Sequence, residues 1–232
     1  MARPKPHLGM ATVLSNDLII PNVFRLRLQC PEIASTAKPG QFVMIKCGDQ
    51  TLLRRPVSIS DASAPSEQIS LLIANIGKGT EWLSLRAPGE EIDILGPLGN
   101  GFSIDDEAEN LLLIAGGMGI APLNFLAAKT AALGKKVTLV LGARTGKLLC
   151  PSSHLPEVDQ CVFCTEDASV GIKGRVTDCP DAHIEAAGQI FACGPLPMYR
   201  ALAKDNRFQA KPMQVSLEVR MAAGSVSVMA AR

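Results

Sequence analysis

The stretch LLIAGGMGIAPLNFLA, residues 112–127, decides the fold. It begins as an unbroken apolar run, is interrupted by Gly116, Gly117 and Gly119, and resumes with Pro122 in a first-turn position and Gly134 as a stop. A short apolar run ending at glycine reads as a buried strand, and proline inside the start with glycine past the end reads as a helix. The pattern predicts a strand over Leu111–Ala115 and a helix over Ala121–Leu133. The turn between them directs backbone N–H groups and a helix N-terminus toward one spot, which suits a phosphate. A Gly-rich turn alone is equally a tight connection with no ligand, and the strand-turn-helix context moves the reading toward a dinucleotide.

Further along the chain, Lys136–Leu141, Cys161–Thr165 and Gln189–Cys193 are buried strand candidates alternating with helical segments, the order of a parallel α/β sheet. The third of these ends in FACGPLPMYRAL, residues 191–202, where Cys193, Gly194 and Pro195 form the loop and Met198 lies on the next helix. Loops at the carboxyl ends of parallel strands build the crevice in which such sheets bind ligands, so Cys193 is expected to face one. A buried structural thiol is the alternative.

Before residue 100 the pattern is different. Phe24, Leu26, Leu28 and Cys30 alternate with Arg25, Arg27 and Gln29, the period of a strand with one wet face. Val23–Cys30, Gln41–Cys47, Gln68–Asn75 and Glu90–Leu95 are short strands separated by turn residues, which suggests a closed antiparallel barrel without exposed edges. Two stretches in this half carry chemistry. In LLRRPVSIS, residues 52–60, Arg55 can grip a phosphate through two parallel bonds and Ser58 can donate a hydroxyl, with Pro56 stiffening the backbone between them. In NIGKGTEWL, residues 75–83, Gly77, Lys78, Gly79 and Thr80 gather amides, a cation and a hydroxyl suited to a pyrophosphate. An isolated Arg-Arg-Pro is otherwise ordinary solvated surface.

The Gly/Pro-rich stretch Gly96–Gly101 separates the halves. The expected division is a β-barrel domain over 1–103, an α/β domain over 104–212 and a C-terminal segment over 213–232. A formal charge of +1, from 23 basic and 22 acidic residues, gives no general attraction to nucleic acid or an anionic membrane. The apolar run Leu111–Ala128 approaches spanning length, but its glycines and Pro122 argue against a membrane helix. The start carries no apolar run of secretory-signal length, so a cytoplasmic protein is the expectation. Seven scattered cysteines are unlike a disulfide framework. Cys161 and Cys164 have metal-motif spacing but lack a second pair and point to opposite faces of a strand, so no metal is expected there.

In this order, RPVS, GKGT, GPLGNGF, GGMGIAPL and CGPLPM resemble the ferredoxin-NADP reductase superfamily, and most closely the family of electron-transfer subunits of class 1B dihydroorotate dehydrogenase. The resemblance spans nearly the whole chain. It implies that the barrel binds FAD, that the second domain binds NADH, and that a C-terminal iron-sulfur cluster hands electrons to the FMN of a separate catalytic subunit. By position, Arg55, Pro56, Val57 and Ser58 should contact the flavin and its phosphates, Leu72, Ile73 and Ala74 should line it, and Gly79 and Thr80 should hold the pyrophosphate. Gly116, Gly117, Gly119, Ile120, Ala121, Pro122 and Leu123 should cradle the nicotinamide dinucleotide, with Cys193, Gly194, Pro195 and Met198 approaching the nicotinamide. Cys193 is the catalytic candidate. Arg144 and the pair Glu166 and Asp167 should border the adenosine ribose, where carboxylates repel a 2′-phosphate and favour NADH over NADPH.

The sequence departs from that family at three places. Val57 stands where relatives stack an aromatic ring, Ala74 stands where an arginine is expected, and the segment SLEVRMAAGSVSVMAAR, residues 216–232, resembles the cluster-binding segment without its cysteines. Ala223, Val228 and Ala231 occupy the ligand positions and cannot supply thiolates, so no iron-sulfur cluster is expected. Glu218 and Arg220 read as a surface ion pair. Three functions stay open: cluster-free electron transfer from NADH through FAD to a partner subunit, a free-standing NADH oxidoreductase, and a degenerate regulatory or binding subunit. The oligomeric state is open as well.

Overall fold

The computed structural model describes residues 5–49, 51–219 and 225–231, with backbone alone for 218–219 and 225–231. Six strands close the first half into a barrel: β1 (His7–Ile20), β2 (Val23–Gln29), β3 (Phe42–Ile45), β4 (Arg55–Ser63), β5 (Gln68–Ala74) and β6 (Glu91–Leu98). Their spatial order is β1-β2-β5-β4-β3-β6, and every pair is antiparallel. The alternation in β2 sorts its side chains as the sequence predicts, with Phe24, Leu26 and Leu28 buried and Arg27 exposed. Leu26, Leu28, Ile45, Ile59, Ile69, Leu71 and Ile92 fill the interior. Each contributes about 1.5–3 kcal/mol on burial. The short helices α1 (Pro31–Ala34) and α2 (Lys78–Ser84) add Ile33 and Leu83 to that core.

The sequence reading assigns no strand to residues 7–20, yet β1 is the longest in the barrel and pairs with both β2 and β6. Its register shifts between Val13 and Ser15 and again between Leu18 and Ile20. Leu8, Met10 and Leu18 point into solvent. Bulges and outward leucines erase the two-residue period on which strand recognition rests.

The second half is a seven-stranded sheet: β7 (Asn110–Gly116), β8 (Lys136–Ala143), β9 (Gln160–Thr165), β10 (Ile172–Lys173), β11 (Gln189–Cys193), β12 (Met213–Val219) and β13 (Ser225–Ala231), in the order β10-β9-β8-β7-β11-β12-β13. All neighbours are parallel except β12 and β13. Within the C-terminal segment of 213–232, the backbone of Ser225–Ala231 forms the edge strand β13. Arg220 and Ala223 lie outside the described residues, as do the side chains of Glu218, Val228 and Ala231. From β7 the chain builds outward to β10 and then returns to the opposite side with β11, so the topological switch point falls between β7 and β11.

Helix α3 (Ile120–Ala132) lies between the two halves, while α4 (Asp181–Ala186), α5 (Leu196–Lys204) and α6 (Asn206–Gln209) support the sheet. Phe125 of α3 belongs to the barrel core, and Leu123, Leu126 and Ala127 belong to the core of the sheet. A helix buried on two sides must be apolar on nearly all of its circumference. This explains the apolar run that approaches membrane length, of which only residues 120–128 fall in the 13-residue helix, the first part being strand β7. Among the described residues no helix is long and apolar enough to cross a membrane. The connection between the halves is tied to the sheet through Ser103, whose N–H donates to Gln214 Oε1 at 2.9 Å and whose carbonyl accepts from Gln189 Nε2 at 3.0 Å.

Candidate functional site

A cleft of about 840 Å³ runs between the barrel and the carboxyl ends of the parallel strands. Its volume lies within the range of small-molecule and cofactor sites. The barrel wall is made by Pro56, Val57 and Ser58 at the start of β4 and by Leu72, Ile73 and Ala74 at the end of β5. The opposite wall comes from the switch point, with Gly116 at the end of β7 followed by Gly117, Gly119, Ile120, Ala121 and Pro122, and Cys193 at the end of β11 followed by Gly194, Pro195 and Met198.

The two arginines of Arg54-Arg55 have different surroundings. Arg54 places one guanidinium nitrogen 2.8 Å from both carboxylate oxygens of Asp93 and is a structural tie within the barrel. Among the described residues the side chain of Arg55 makes no hydrogen bond or ion pair, and its stem packs on Gly79. Neither Arg55 nor Gly79 lines the cleft itself; each is followed in sequence by a residue that does, Pro56 and Thr80. The Thr80 hydroxyl accepts from the N–H groups of Ile76 at 2.9 Å and Gly77 at 3.1 Å, so it is committed to closing its own turn. Ala74 faces the cleft and supplies no cation.

The glycines of the switch point serve separate needs. Gly117 has φ +54°, where a side chain is disfavoured. Gly119 is forced by close approach, because a carbon added there would lie 1.8 Å from the Cys193 carbonyl oxygen. An added carbon at Gly116 would lie 2.9 Å from Met198 Sδ. The two loops thus interlock across the gap between β7 and β11, and a substituent would fill the cradle. Cys193 is half-buried at the end of β11, beside Ala115 of β7 and Ser216 of β12.

Arg144 and Glu166, past the ends of β8 and β9, also line the cleft. Asp167 does not. Its carboxylate accepts from the Ser169 hydroxyl at 2.6 Å and the Ser169 N–H at 3.0 Å, and these bonds hold it below the usual carboxylate range. The pair expected to act together is therefore divided, with Glu166 toward the ligand space and Asp167 in its own turn. The sequence reading misses Arg175, Val176 and Ile20, which line the cleft from distant parts of the chain. A signal for one of them lies at Gly142, where an added carbon would meet Val176 Cγ1 at 2.4 Å, but only the fold reveals that contact. Cys161 is exposed and Cys164 buried, on opposite faces of β9. Among the described residues no three His, Cys, Asp or Glu side chains converge as a metal site.

The chemistry of this arrangement fits a long, flat, phosphorylated ligand. Its walls are largely apolar, a glycine cradle lies at the switch point, and Arg55, next in sequence to the lining residue Pro56, has no side-chain hydrogen bond or ion pair among the described residues.

No protein-family model matches the chain. Among solved structures, that of an NADH-dependent reduced ferredoxin-NADP oxidoreductase, determined in work on flavin-based electron bifurcation, superposes with a TM-score of 0.81 at 30% identity, covering 92% of this chain and 78% of that one. The ferredoxin reductase of carbazole 1,9a-dioxygenase shares the fold with a TM-score of 0.74 at 19% identity, over 86% of this chain and 64% of that one. Among curated proteins, the dihydroorotate dehydrogenase B (NAD(+)) electron transfer subunits of Desulforamulus reducens and Geobacillus thermodenitrificans are each 37% identical, over 92% of this chain and 84% of theirs. Identity at that level over nearly the whole length, on a barrel followed by a parallel α/β sheet of ferredoxin-reductase type, shows that the chain belongs to the family of dihydroorotate dehydrogenase B electron transfer subunits.

Proposed function

We propose that this chain transfers electrons from NADH through FAD to a partner redox subunit, the partner being an FMN-containing catalytic subunit that oxidises dihydroorotate. The observation that carries the reading is the facing of two walls across one cleft, Val57 with Leu72–Ala74 on the barrel and the loops of Gly116–Pro122 and Cys193–Met198 on the sheet. Two flat rings that exchange hydride must lie face to face, and positioning of this kind is the protein's main contribution.

In this reading Arg55 binds a flavin phosphate, Ser58 donates to the ring system, and Val57 and Leu72 give it an apolar bed that excludes water. The amides after Gly116 and the N-terminus of α3 take the pyrophosphate of NADH. Met198 and Cys193 bound the nicotinamide, while Glu166 with Arg144 meets the adenosine ribose and disfavours NADPH. FAD, when bound, accepts two electrons as hydride and releases them singly. Ala223, Val228 and Ala231 at the positions of the expected cluster ligands support direct exit of electrons to the partner without an iron-sulfur relay.

The test is an anaerobic absorbance spectrum before and after one equivalent of NADH. Flavin bands that bleach, without iron-sulfur absorbance, are expected. Absence of flavin even after incubation with FAD would overturn the proposal and favour a regulatory subunit that keeps only the fold. Reduction by NADH without complex formation with an FMN protein would favour the free-standing oxidoreductase.

A further inference from the structure

Tyr199 lies one turn into α5 and does not line the cleft. Its phenol nevertheless reaches back to the loop that does. The Gly194 N–H donates to the Tyr199 hydroxyl at 2.9 Å, and the hydroxyl donates in turn to the Ser216 carbonyl of β12. A phenol has one proton to give and lone pairs to receive, so these two bonds use it in both senses.

The Gly194 N–H and the Cys193 carbonyl belong to the same peptide unit. The carbonyl end is fixed by Gly119, which leaves no room for even one added carbon. The N–H end is fixed by Tyr199. We infer that Tyr199 is a positioning residue, which locks the Cys193–Gly194 peptide and through it sets the loop that receives the nicotinamide. The inference rests on the NADH reading above and extends it to a residue outside the cleft. Because Ser216 lies beside Cys193 in the sheet, the same hydroxyl keeps the ends of β11 and β12 in register. Without it, the Gly194 N–H and the carbonyl of Ser216, a residue only 3% exposed, each lose this hydrogen bond and the N–H end of the peptide is no longer held by Tyr199.

Tyr199→Phe keeps the ring and removes the hydroxyl. The expected result is unchanged FAD content and unchanged reduction by dithionite, weaker NAD(+) binding by calorimetry, and a limiting rate of flavin reduction by NADH that falls by about ten- to a hundredfold, the scale of a misplacement near 1 Å. A variant that matches the parent in limiting rate and NAD(+) affinity would overturn the inference.

Tyr199 is the only tyrosine in the chain, which provides a second measurement if the phenylalanine variant does not fold. A fluorinated tyrosine incorporated throughout then labels this site alone and keeps its shape. Its fluorine resonance is expected to move on addition of NAD(+), and the NADH rate is expected to fall across the pH at which the fluorinated phenol ionises, since a phenolate cannot donate to Ser216. A resonance that NAD(+) leaves in place, with a rate indifferent to that ionisation, would overturn the inference. Parent protein that NADH does not reduce would overturn the functional reading as well; parent reduced normally beside indifferent Tyr199 variants overturns only the role of Tyr199.

Discussion

A carbon added at Gly79 would lie 2.8 Å from Nε of Arg55 and 2.9 Å from its Cγ, so the stem of Arg55 rests directly on the first turn of α2. The arginine motif and the glycine motif, more than twenty residues apart in sequence, are thus one contact. Gly79 has no positive φ, so alanine fits its backbone and favours the helix by up to about 1 kcal/mol. The flexible arginine would move instead. Gly79→Ala is expected to keep or raise the melting temperature while weakening FAD binding about tenfold, as read by flavin fluorescence titration beside a thermal melt.

The adjacent arginines should separate stability from cofactor binding. Arg54→Ala breaks the tie to Asp93, a pair about two-thirds to three-quarters buried, and should cost roughly 1 kcal/mol after allowance for solvent screening, with flavin retained. Arg55→Ala breaks no side-chain hydrogen bond or ion pair among the described residues and should leave the unfolding free energy within about 0.5 kcal/mol of the parent while lowering flavin content. Denaturant unfolding and bound-flavin absorbance of both variants decide the matter. Equal flavin loss in the two would contradict the division of roles.

Gly119→Ala is expected to be the most damaging single methyl group in the cleft. Its carbon would meet the backbone of Cys193, which cannot swing away as a side chain can. Overpacking of this sort costs about 1–3 kcal/mol, and relief requires the two switch-point loops to part. Both the melting temperature and NAD(+) affinity should fall. Calorimetry on the folded fraction separates the two effects.

Burial holds the Cys179 thiol neutral and pushes its pKa up from 9.0 to about 11, with Cys164 nearby adding to the shift. The unfolded chain releases this proton first. Stability from the neutral thiol is therefore complete below about pH 9 and lost progressively toward about pH 11. Cys179→Ala should flatten the alkaline limb of a stability-against-pH curve measured by urea unfolding. An unchanged limb would place the alkaline loss elsewhere.

The barrel strands with one wet face were legible because Phe24, Leu26 and Leu28 face one core and Arg27 faces water. The strand β1 was not, since it carries apolar Leu8, Met10 and Leu18 on its exposed face and its register shifts twice. Helix α3 was legible from Pro122 and Gly134, but its burial on two sides required knowledge of which cores lie beside it. The fold places Val57, Gly119 and Cys193 on the walls of one cleft, while Arg55 and Gly79, from the same motifs, do not line it. Partnerships within the motifs were beyond sequence: Arg54 differs from Arg55 only through Asp93, and the Thr80 hydroxyl is taken by its own turn. Arg175 enters the cleft through the crossing of its segment over the sheet, a tertiary placement with no local pattern.

Discrimination between NADH and NADPH gives the sharpest test of that difference between motif and structure. Glu166 and Asp167 are equivalent carboxylates in sequence, but only Glu166 lines the cleft, beside Arg144 and Arg175, while Asp167 is bonded to Ser169. A carboxylate facing the ribose repels a 2′-phosphate, and at several ångströms in a partly solvated site that repulsion amounts to about 1 kcal/mol. Glu166→Gln removes the charge and leaves two arginines to attract the phosphate, so kcat/KM for NADPH relative to NADH should rise about five- to tenfold. Asp167→Asn should change that ratio by less than about twofold, because its charge is turned away and screened. Steady-state reduction of an artificial acceptor with each nucleotide measures both ratios. A larger shift from Asp167 than from Glu166 would mean that the ribose lies on the other side of the turn.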